Sequence, residues 1–226
     1  MATDAARAVG AGDREPGRPE TAQTLDRGLR LLSLVAEAPG GLTVTEAAQR
    51  LGVGRTVVYR LVGTLVEHGL LRRDADGRLR LGAGVLQLAR RARPLVADAA
   101  LGPLRRLAEE VGATAHLTIA DGGEAEALLV VEPTWTQVHV AYRAGSRHPL
   151  DRGAAGRAIL AGRTYQQAYA VSQGELQPGA HGVAAAVLGV EGLEASVGVV
   201  ALAPLDADVV GPRVVAAAAE VAHALS

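Results

Sequence analysis

Four side chains that could contact a nucleic acid lie close together in the sequence, Arg55, Thr56, Tyr59 and Arg60. Their spacing of i, i+1, i+4 and i+5 places them on one face of a helix. A guanidinium can form two parallel hydrogen bonds with guanine or bind a phosphate, and threonine offers a hydroxyl and a methyl group. The sequence therefore predicts a helix that enters the major groove of a duplex, and Val57 is included among the residues expected to contact DNA.

Two helices are predicted before this one. The first begins near Thr24, follows an apolar stripe, and ends at Pro39-Gly40-Gly41. The stripe consists of Leu25, Leu29, Leu32 and Val35. The second begins with a capping box between Thr43 and Glu46 and ends at Gly52-Val53-Gly54. The third runs from Arg55 to about Glu67, so that helix, glycine turn and helix have the spacing of a helix-turn-helix.

A basic hairpin is predicted directly after the third helix. Residues 70–73 and 78–81 read as strands around a turn that contains Asp76-Gly77. Such a wing would place four arginines against phosphates or in a minor groove: Arg72, Arg73, Arg78 and Arg80. The start of the second helix, with Thr43 and Thr45, could bind a further phosphate. The alternative is a merely basic surface on a small helical domain, with Tyr59 as a half-buried core residue.

The distribution of charged residues divides the chain into a basic first part and an acidic second part. Residues 21–93 carry 12 Arg against 6 acidic residues, a net of +6, whereas residues 94–226 carry 8 Arg against 14 acidic residues, a net of −6. Only the first part is therefore expected to approach a polyanion. Cysteine is absent, which excludes disulfides, thiolate metal sites and a cysteine nucleophile.

The second part of the sequence predicts an α+β domain. A linker helix is expected over 83–93, a helix from Pro94 to about Val111, a broken helical stretch over 154–171, and a closing helix over 206–225. Strands are expected at 114–120, 127–132, 137–142, 183–190 and 196–202, and their short separations favour an antiparallel sheet covered on one face. The predicted organisation is a disordered arm (1–20), a winged helix-turn-helix (21–82), the linker (83–93) and the second domain (94–226).

No apolar run approaches the roughly 20 residues that a membrane span requires. The first 20 residues lack the apolar region of a secretory signal. These features predict a cytoplasmic protein without a membrane partner.

Other chemistries receive little support. The six histidines are scattered, although His116 and His139 lie on predicted strands and could meet around a metal. Ser146, His148 and Asp151 lack a nucleophile elbow. The run from Gly153 to Gly156 has the wrong glycine spacing for a phosphate loop and favours close packing of a helix on the sheet. The sequence predicts no catalytic constellation, metal site or cofactor.

Several segments, taken in order, resemble the IclR family of transcriptional regulators. In the first part these are Thr24-Leu25-Asp26-Arg27-Gly28-Leu29-Arg30-Leu31-Leu32, Arg55-Thr56-Val57-Val58-Tyr59-Arg60-Leu61 and Gly77-Arg78-Leu79-Arg80-Leu81-Gly82. In the second part they are His148-Pro149-Leu150, Ala155-Gly156-Arg157-Ala158-Ile159-Leu160-Ala161 and Gly174-Glu175-Leu176-Gln177-Pro178-Gly179. The resemblance covers about residues 21–226.

This resemblance implies a winged helix-turn-helix followed by a GAF-like effector domain. It further implies a homodimer or homotetramer that binds an inverted-repeat operator in double-stranded DNA and responds, often as a repressor, to a small-molecule effector. The positions that it assigns to the effector are Ala154, Ala155, Ser172, Gly182, Val200 and Leu202.

The sequence departs from the family in two places. The stretch between Ala161 and Val171 is shorter than usual, and Val200 and Leu202 stand where some members present hydroxyls to a carboxylate ligand. A pocket so lined offers few hydrogen-bond donors. We therefore expect a larger or more apolar effector than a short oxo-acid, or a pocket that has lost ligand binding.

Two functions of other classes remain as alternatives. One is a winged helix that binds protein, in an interaction or oligomerisation module without effector response. The other is a small-molecule enzyme with a regulatory arm. Binding between arginine and phosphate weakens steeply with salt whereas an apolar protein interface does not, so salt dependence separates the first alternative from DNA binding.

Overall fold

The computed structural model describes residues 22–136, 140, 142–165 and 167–226 of the chain. It divides into two compact units between Leu88 and Ala89. The predicted arm over 1–20 lies outside the described residues, as does the predicted strand over 137–142 apart from Val140 and Tyr142.

The first unit contains three helices and a hairpin. These are α1 (Gln23–Ala36), α2 (Val44–Leu51), α3 (Arg55–Glu67), β1 (Leu71–Arg73) and β2 (Leu79–Leu81), with β1 and β2 antiparallel. The predicted helices and hairpin are confirmed. The predicted apolar stripe of α1 is wrong in detail, because Leu25 and Leu29 are 63% and 53% exposed while Leu31 and Val35 are buried. Gly28 shares the buried face and lies beside Leu61 of α3.

The capping box of α2 forms as predicted. The Thr43 hydroxyl accepts a hydrogen bond from the Glu46 amide at 3.2 Å, and the Glu46 carboxylate accepts one from the Thr43 amide at 2.7 Å. Gly52 ends the helix in the left-handed conformation, with φ +65°. This glycine turn directs the chain into α3.

The hairpin has a three-residue loop. The Asp74 amide donates to the Arg78 carbonyl at 2.9 Å, and Gly77 has φ +74°. The Asp74 carboxylate accepts from the amides of Asp76 and Arg78, at 3.1 and 2.9 Å. A glycine at this loop position provides the left-handed residue that such a turn requires. The hairpin is joined to the helices by a bridge between Leu79 and Leu42.

A single helix, α4 (Gly84–Val111), replaces the predicted linker helix and the separate helix after Pro94. The expectation that Pro94 ends a helix is wrong, since both Pro94 and Pro103 lie inside α4. A proline removes one backbone hydrogen bond and costs about 3 kcal/mol. Burial of Leu104 and Leu107 on the following turns stabilises the helix beyond it.

The second unit is built on a six-stranded antiparallel sheet in the order β5-β4-β3-β8-β7-β6. The strands are β3 (Thr114–Asp121), β4 (Glu124–Val131), β5 (Arg147–Pro149), β6 (Ala170–Gln173), β7 (His181–Val187) and β8 (Ala195–Ala201). The four long strands were predicted. The two edge strands were not, because three or four residues carry too little alternation to be recognised.

Helices cover both faces of this sheet. Val183 and Val187 of β7 pack with α4 and with α6 (Ala207–Leu225), whereas Ala184 packs with Ala154 and Ala158 of α5 (Gly153–Gly162). Successive strand residues point to opposite faces, so α5 lies opposite α4 and α6. The prediction of a sheet covered on one face is therefore wrong.

Close packing explains the glycines of α5, as the sequence suggested. A Cβ added at Gly156 would lie 2.4 Å from the carbonyl oxygen of Leu150, which is backbone and cannot move aside easily. The start of α5 thereby lies against the turn that follows β5. This brings His148 and Ala154 to the same region of the sheet.

Candidate nucleic-acid interface and ligand cavity

α3 has one apolar face and one polar face. Its buried residues are Val58, Leu61, Val62 and Leu65. The predicted contact residues Arg55, Thr56, Tyr59 and Arg60 are all exposed, and Val57 is half-buried at the margin. The helix thus packs on α1 and α2 through aliphatic side chains and presents two guanidinium groups, a hydroxyl and a phenol outward.

Tyr59 is not a core residue. Its side chain is 57% exposed, and the guanidinium of Arg73 lies over the ring at 5.7 Å from its centroid. A cation over an aromatic face is attracted by the ring quadrupole. This contact joins the hairpin to the polar face of α3.

The four arginines of the hairpin fall into two pairs. Arg72 and Arg73 are exposed. Arg78 donates to the Gly41 carbonyl at 3.1 Å and lies 3.5 Å from the Glu46 carboxylate. Arg80 donates to the Asp74 carboxylate at 3.0 Å and also to the Pro39 carbonyl. The second pair fastens the hairpin to the loop before α2, so part of each guanidinium is already engaged within the unit.

The start of α2 also differs from the expectation. The Thr43 hydroxyl donates to the Glu46 carboxylate at 2.9 Å, and hydrogen bonds from Thr43 hold the Glu46 pKa below its usual value. A carboxylate therefore stands at this helix start and opposes a phosphate beside Thr43. Thr45 is exposed and lines a shallow surface groove with Arg55.

A cavity of about 370 Å³ lies on the α5 face of the sheet in the second unit. Five of the six residues that the sequence assigned to an effector line it: Ala154, Ala155, Ser172, Gly182 and Val200. The sixth, Leu202, follows the end of β8, is 44% exposed and lines a separate cavity of about 180 Å³. The placement of Leu202 with the other five is thus wrong.

The expectation of a donor-poor pocket is also wrong, because sequence reasoning missed the polar side chains that β3 and the segment before α5 contribute. His116, Tyr142, His148 and Arg152 line the cavity. The signal for His116 was available: in β3 it alternates with buried Ala115 and Leu117, so it must point to the other face.

His116 is a buried, neutral imidazole. Burial, and to a lesser extent the nearby imidazole of His148, lower its pKa to about 3. Its Nδ1 lies 3.1 Å from the Thr118 hydroxyl, and its ring meets that of Tyr142 edge-on, with centroids 5.1 Å apart. These contacts fix the position of the uncharged His116 ring in the cavity wall.

One polar atom near this histidine has no partner among the described residues. The His148 Nδ1 lies 3.0 Å from the Pro149 carbonyl oxygen, but its Nε2 is buried and makes no hydrogen bond there. The Tyr142 hydroxyl is also buried, and burial raises its pKa while a hydrogen bond with Thr118 acts in the opposite direction. Buried polar atoms are normally paired, so the His148 Nε2 is a candidate ligand contact.

Trp135 anchors a loop in the second unit. Its indole nitrogen donates to the Glu109 carbonyl at 3.1 Å near the end of α4, and its ring lies against Gly112.

Within the described ranges, no group of three or more His, Asp or Glu side chains is placed to hold a metal ion. The predicted meeting of His116 with His139 cannot be followed, because His139 lies outside those ranges. Among the helices that the structure describes, none is both long and apolar enough to cross a bilayer.

A winged helix-turn-helix followed by a domain that contains a cavity of ligand size defines a class of regulator. Two family models match this chain in order. The IclR helix-turn-helix domain matches residues 24–75, and the bacterial transcriptional regulator IclR C-terminal domain matches residues 92–165. The chain belongs to the IclR family of transcriptional regulators. Members of that family are not enzymes.

Curated relatives support the assignment. The transcriptional repressor IclR of Escherichia coli K12 is 30% identical over 151 residues, which cover 64% of this chain and 54% of that protein. The regulator BhcR of Paracoccus denitrificans is 34% identical over 166 residues, which cover 69% and 55%. This chain thus spans about half the length of the curated relatives that it matches.

Solved structures share the fold. The IclR regulator of Alicyclobacillus acidocaldarius is 25% identical with a TM-score of 0.52, and the match covers 92% of this chain and 100% of that one. An IclR homolog of Microbacterium hydrocarbonoxydans complexed with 4-hydroxybenzoate is 19% identical with a TM-score of 0.54, covering 89% and 98%.

Proposed function

We propose that this protein is a sequence-specific DNA-binding regulator of transcription in the cytoplasm, acting as a repressor. The observation that carries the proposal is the exposed polar face of α3, with Arg55, Thr56, Tyr59 and Arg60 outward and an aliphatic face buried. Arginine and threonine at the start of such a helix suit base edges and phosphates of the major groove.

Charge supports this assignment. The segment over 21–93 has a net charge of +6, and residues 94–226 have a net charge of −6. The exposed Arg72 and Arg73 extend the positive surface from α3 onto the hairpin. A polyanion is attracted to the first segment and repelled by the second. The rival function, a winged helix that binds protein through an apolar surface, does not account for these exposed arginines.

The regulator is proposed to act as a homodimer or homotetramer on an inverted repeat, with an effector in the α5-face cavity. Two copies would present two α3 helices to half-sites about one duplex turn apart. A ligand that favours one spacing of these helices would change operator affinity by its differential affinity for the two states. The homolog complexed with 4-hydroxybenzoate offers a precedent for a ligand on this fold.

Selection of duplexes from a random pool, followed by fluorescence anisotropy, tests the proposal. Replacing Arg60 with Ala should weaken binding to the selected duplex by about 5- to 100-fold, because a lost arginine–base pair costs about 1–3 kcal/mol. Arg105→Ala removes a guanidinium that is also exposed, from α4, and serves as the matched control. Failure to enrich any sequence, or equal affinity of Arg60→Ala and the wild type, would contradict the proposal.

A further inference from the structure

A second, smaller cavity adjoins the α5-face cavity. Its volume is about 180 Å³, and two of its lining residues, Val140 and Val200, also line the α5-face cavity. The rest of its lining comes from residues 112–114, where β3 begins, and residues 201–203, where β8 ends. The two cavities are therefore neighbours that share two valine side chains.

Strand geometry places the second cavity on the same face of the sheet. His116 of β3 lines the α5-face cavity, whereas Ala115 belongs to the core on the opposite face. Side chains alternate along a strand, so Thr114 lies on the same face as His116, and it is paired in register with Val200 of β8. A strand advances about 3.4 Å per residue, so the second cavity continues the first about 7 Å beyond His116.

The hydroxyl of Thr114 distinguishes the second cavity from a gap in the packing. Thr114 is 1% exposed, and its Oγ1 is buried and makes no hydrogen bond within the described ranges. Two other buried hydroxyls on this face are paired: Thr118 with His116 at 3.1 Å, and Ser196 with the Ala155 carbonyl at 3.0 Å. An unpaired buried hydroxyl is unfavourable, and a polar atom of a ligand in the second cavity would pair it.

The lining of the two cavities restricts the polarity of a ligand that occupies both. His148 and Arg152 contribute polar side chains to the α5-face cavity. Val140 and Val200, which both cavities share, are apolar. The Thr114 hydroxyl then follows in the second cavity, and it can both donate and accept. Such a ligand is polar at each end and apolar in the middle.

We propose that the second cavity is a subsite for the far end of an elongated ligand whose body lies in the α5-face cavity. The ligand has an apolar middle, and its distal polar group shares a hydrogen bond with the Thr114 hydroxyl. This inference rests on the proposed function in treating the α5-face cavity as the effector site, and it specifies the length and polarity of that effector.

Urea denaturation of the ligand-free chain tests whether the hydroxyl is reserved for a ligand. Thr114→Val replaces an unpaired hydroxyl with a methyl group, so the urea midpoint should stay the same or rise. Thr118→Val is the matched control on the same strand, and its midpoint should fall because it removes the partner of His116. A lower midpoint for Thr114→Val would show that its hydroxyl stabilises the fold, and would overturn the inference.

Titration calorimetry on the full chain without DNA tests binding with two pairs of probes. The members of a pair differ only in a hydroxyl at the far end of the chain: 8-hydroxyoctanoate with octanoate, and octane-1,8-diol with octan-1-ol. Two pairs are used so that the result does not depend on the charge of the first polar group. In at least one pair the hydroxylated member should bind about three- to tenfold more tightly, because it gains the hydrogen bond to Thr114.

The opposite sign is expected for a pocket without a polar partner, where the added hydroxyl weakens binding. Equal or weaker binding of the hydroxylated member in both pairs would therefore overturn the inference. So would the absence of heat with every probe at millimolar concentration.

Variants locate the gain at one hydroxyl. Thr114→Val should abolish it, whereas Thr114→Ser keeps a hydroxyl and should retain most of it. Thr164→Val changes an exposed threonine that lines neither cavity and should retain the full gain. An undiminished gain in Thr114→Val would refute the proposed contact.

Because no DNA is present, these results are independent of operator binding. A gain that depends on Thr114, in a chain whose duplex affinity does not respond to the probe, would support the subsite and contradict its role in regulation. Loss of the gain in a chain that still binds its duplex would overturn this inference alone.

Discussion

The guanidinium of Arg73 lies over the ring of Tyr59, 5.7 Å from its centroid, and this contact ties the hairpin to the exposed face of α3. An exposed contact of this type contributes about 0.5–1 kcal/mol. Tyr59→Phe keeps the ring, so duplex affinity should stay within about twofold, whereas Tyr59→Leu should lower it by about two- to fivefold. Fluorescence anisotropy with the selected duplex measures both. Equal affinity of the two variants would show that the ring does not orient the hairpin.

The two pairs of hairpin arginines should respond differently to removal. Arg72 is exposed, so Arg72→Ala should reduce the slope of log affinity against log salt by about 1 and leave stability unchanged. Arg78 hydrogen-bonds to Gly41, so Arg78→Ala should lower the free energy of unfolding by about 1 kcal/mol. Urea denaturation and salt titration of both variants check this pattern. The reverse pattern would mean that Arg78 contacts DNA and Arg72 supports the fold.

Much of the fold of the first unit could be predicted from local sequence signals. The Thr43–Glu46 capping box and the turn at Gly77 were readable because their partners lie within a few residues of each other. The ion pair between Arg80 and Asp74 could not be predicted in this way. A single sequence does not show whether an arginine on a predicted surface already has a partner.

Tertiary packing decided the features that sequence reasoning missed. The sequence predicts a break between two helices at Pro94, but the downstream half of α4 buries Leu104 and the helix continues through the proline. The sequence places His148 in a segment that resembles the family and in a dismissed hydrolase triad, but its place in the cavity depends on the short edge strand β5. The five predicted effector residues that line the cavity came from the family resemblance, because residues 154 to 200 meet only in the folded sheet.

Acid should destabilise the second unit through His116. This imidazole has a pKa of about 3 in the folded chain against 6.5 when unperturbed, so between these values the unfolded chain binds an extra proton. The free energy of unfolding then falls as pH falls, by up to about 1.4 kcal/mol for each unit below 6.5. Between pH 7 and pH 5, the free energy of unfolding of His116→Gln should therefore fall by about 2 kcal/mol less than that of the wild type. Urea denaturation at several pH values measures this. If the free energy of unfolding of the variant and of the wild type changed equally with pH, the burial of a neutral ring at His116 would be contradicted.

A glycine substitution tests the close approach at the start of α5. Gly156→Ala would place its Cβ 2.4 Å from the Leu150 carbonyl oxygen, so the free energy of unfolding should fall by about 1–3 kcal/mol. Gly123→Ala is the control, since nothing lies within 4 Å of its added Cβ. Thermal denaturation compares the two. Destabilisation of equal size at both sites would argue against steric contact at Gly156.

Arginines on α3 and the hairpin are proposed to contact the phosphates and bases of a duplex. This contact can be measured as the affinity for the selected duplex while salt is raised, for the wild type and for a variant with Arg55, Arg60 and Arg72 replaced by Ala. For the wild type, log affinity should fall steeply and linearly with log salt, and for the variant the slope should be smaller by about 2–3. A slope near zero for the wild type, or identical slopes for both proteins, would contradict it.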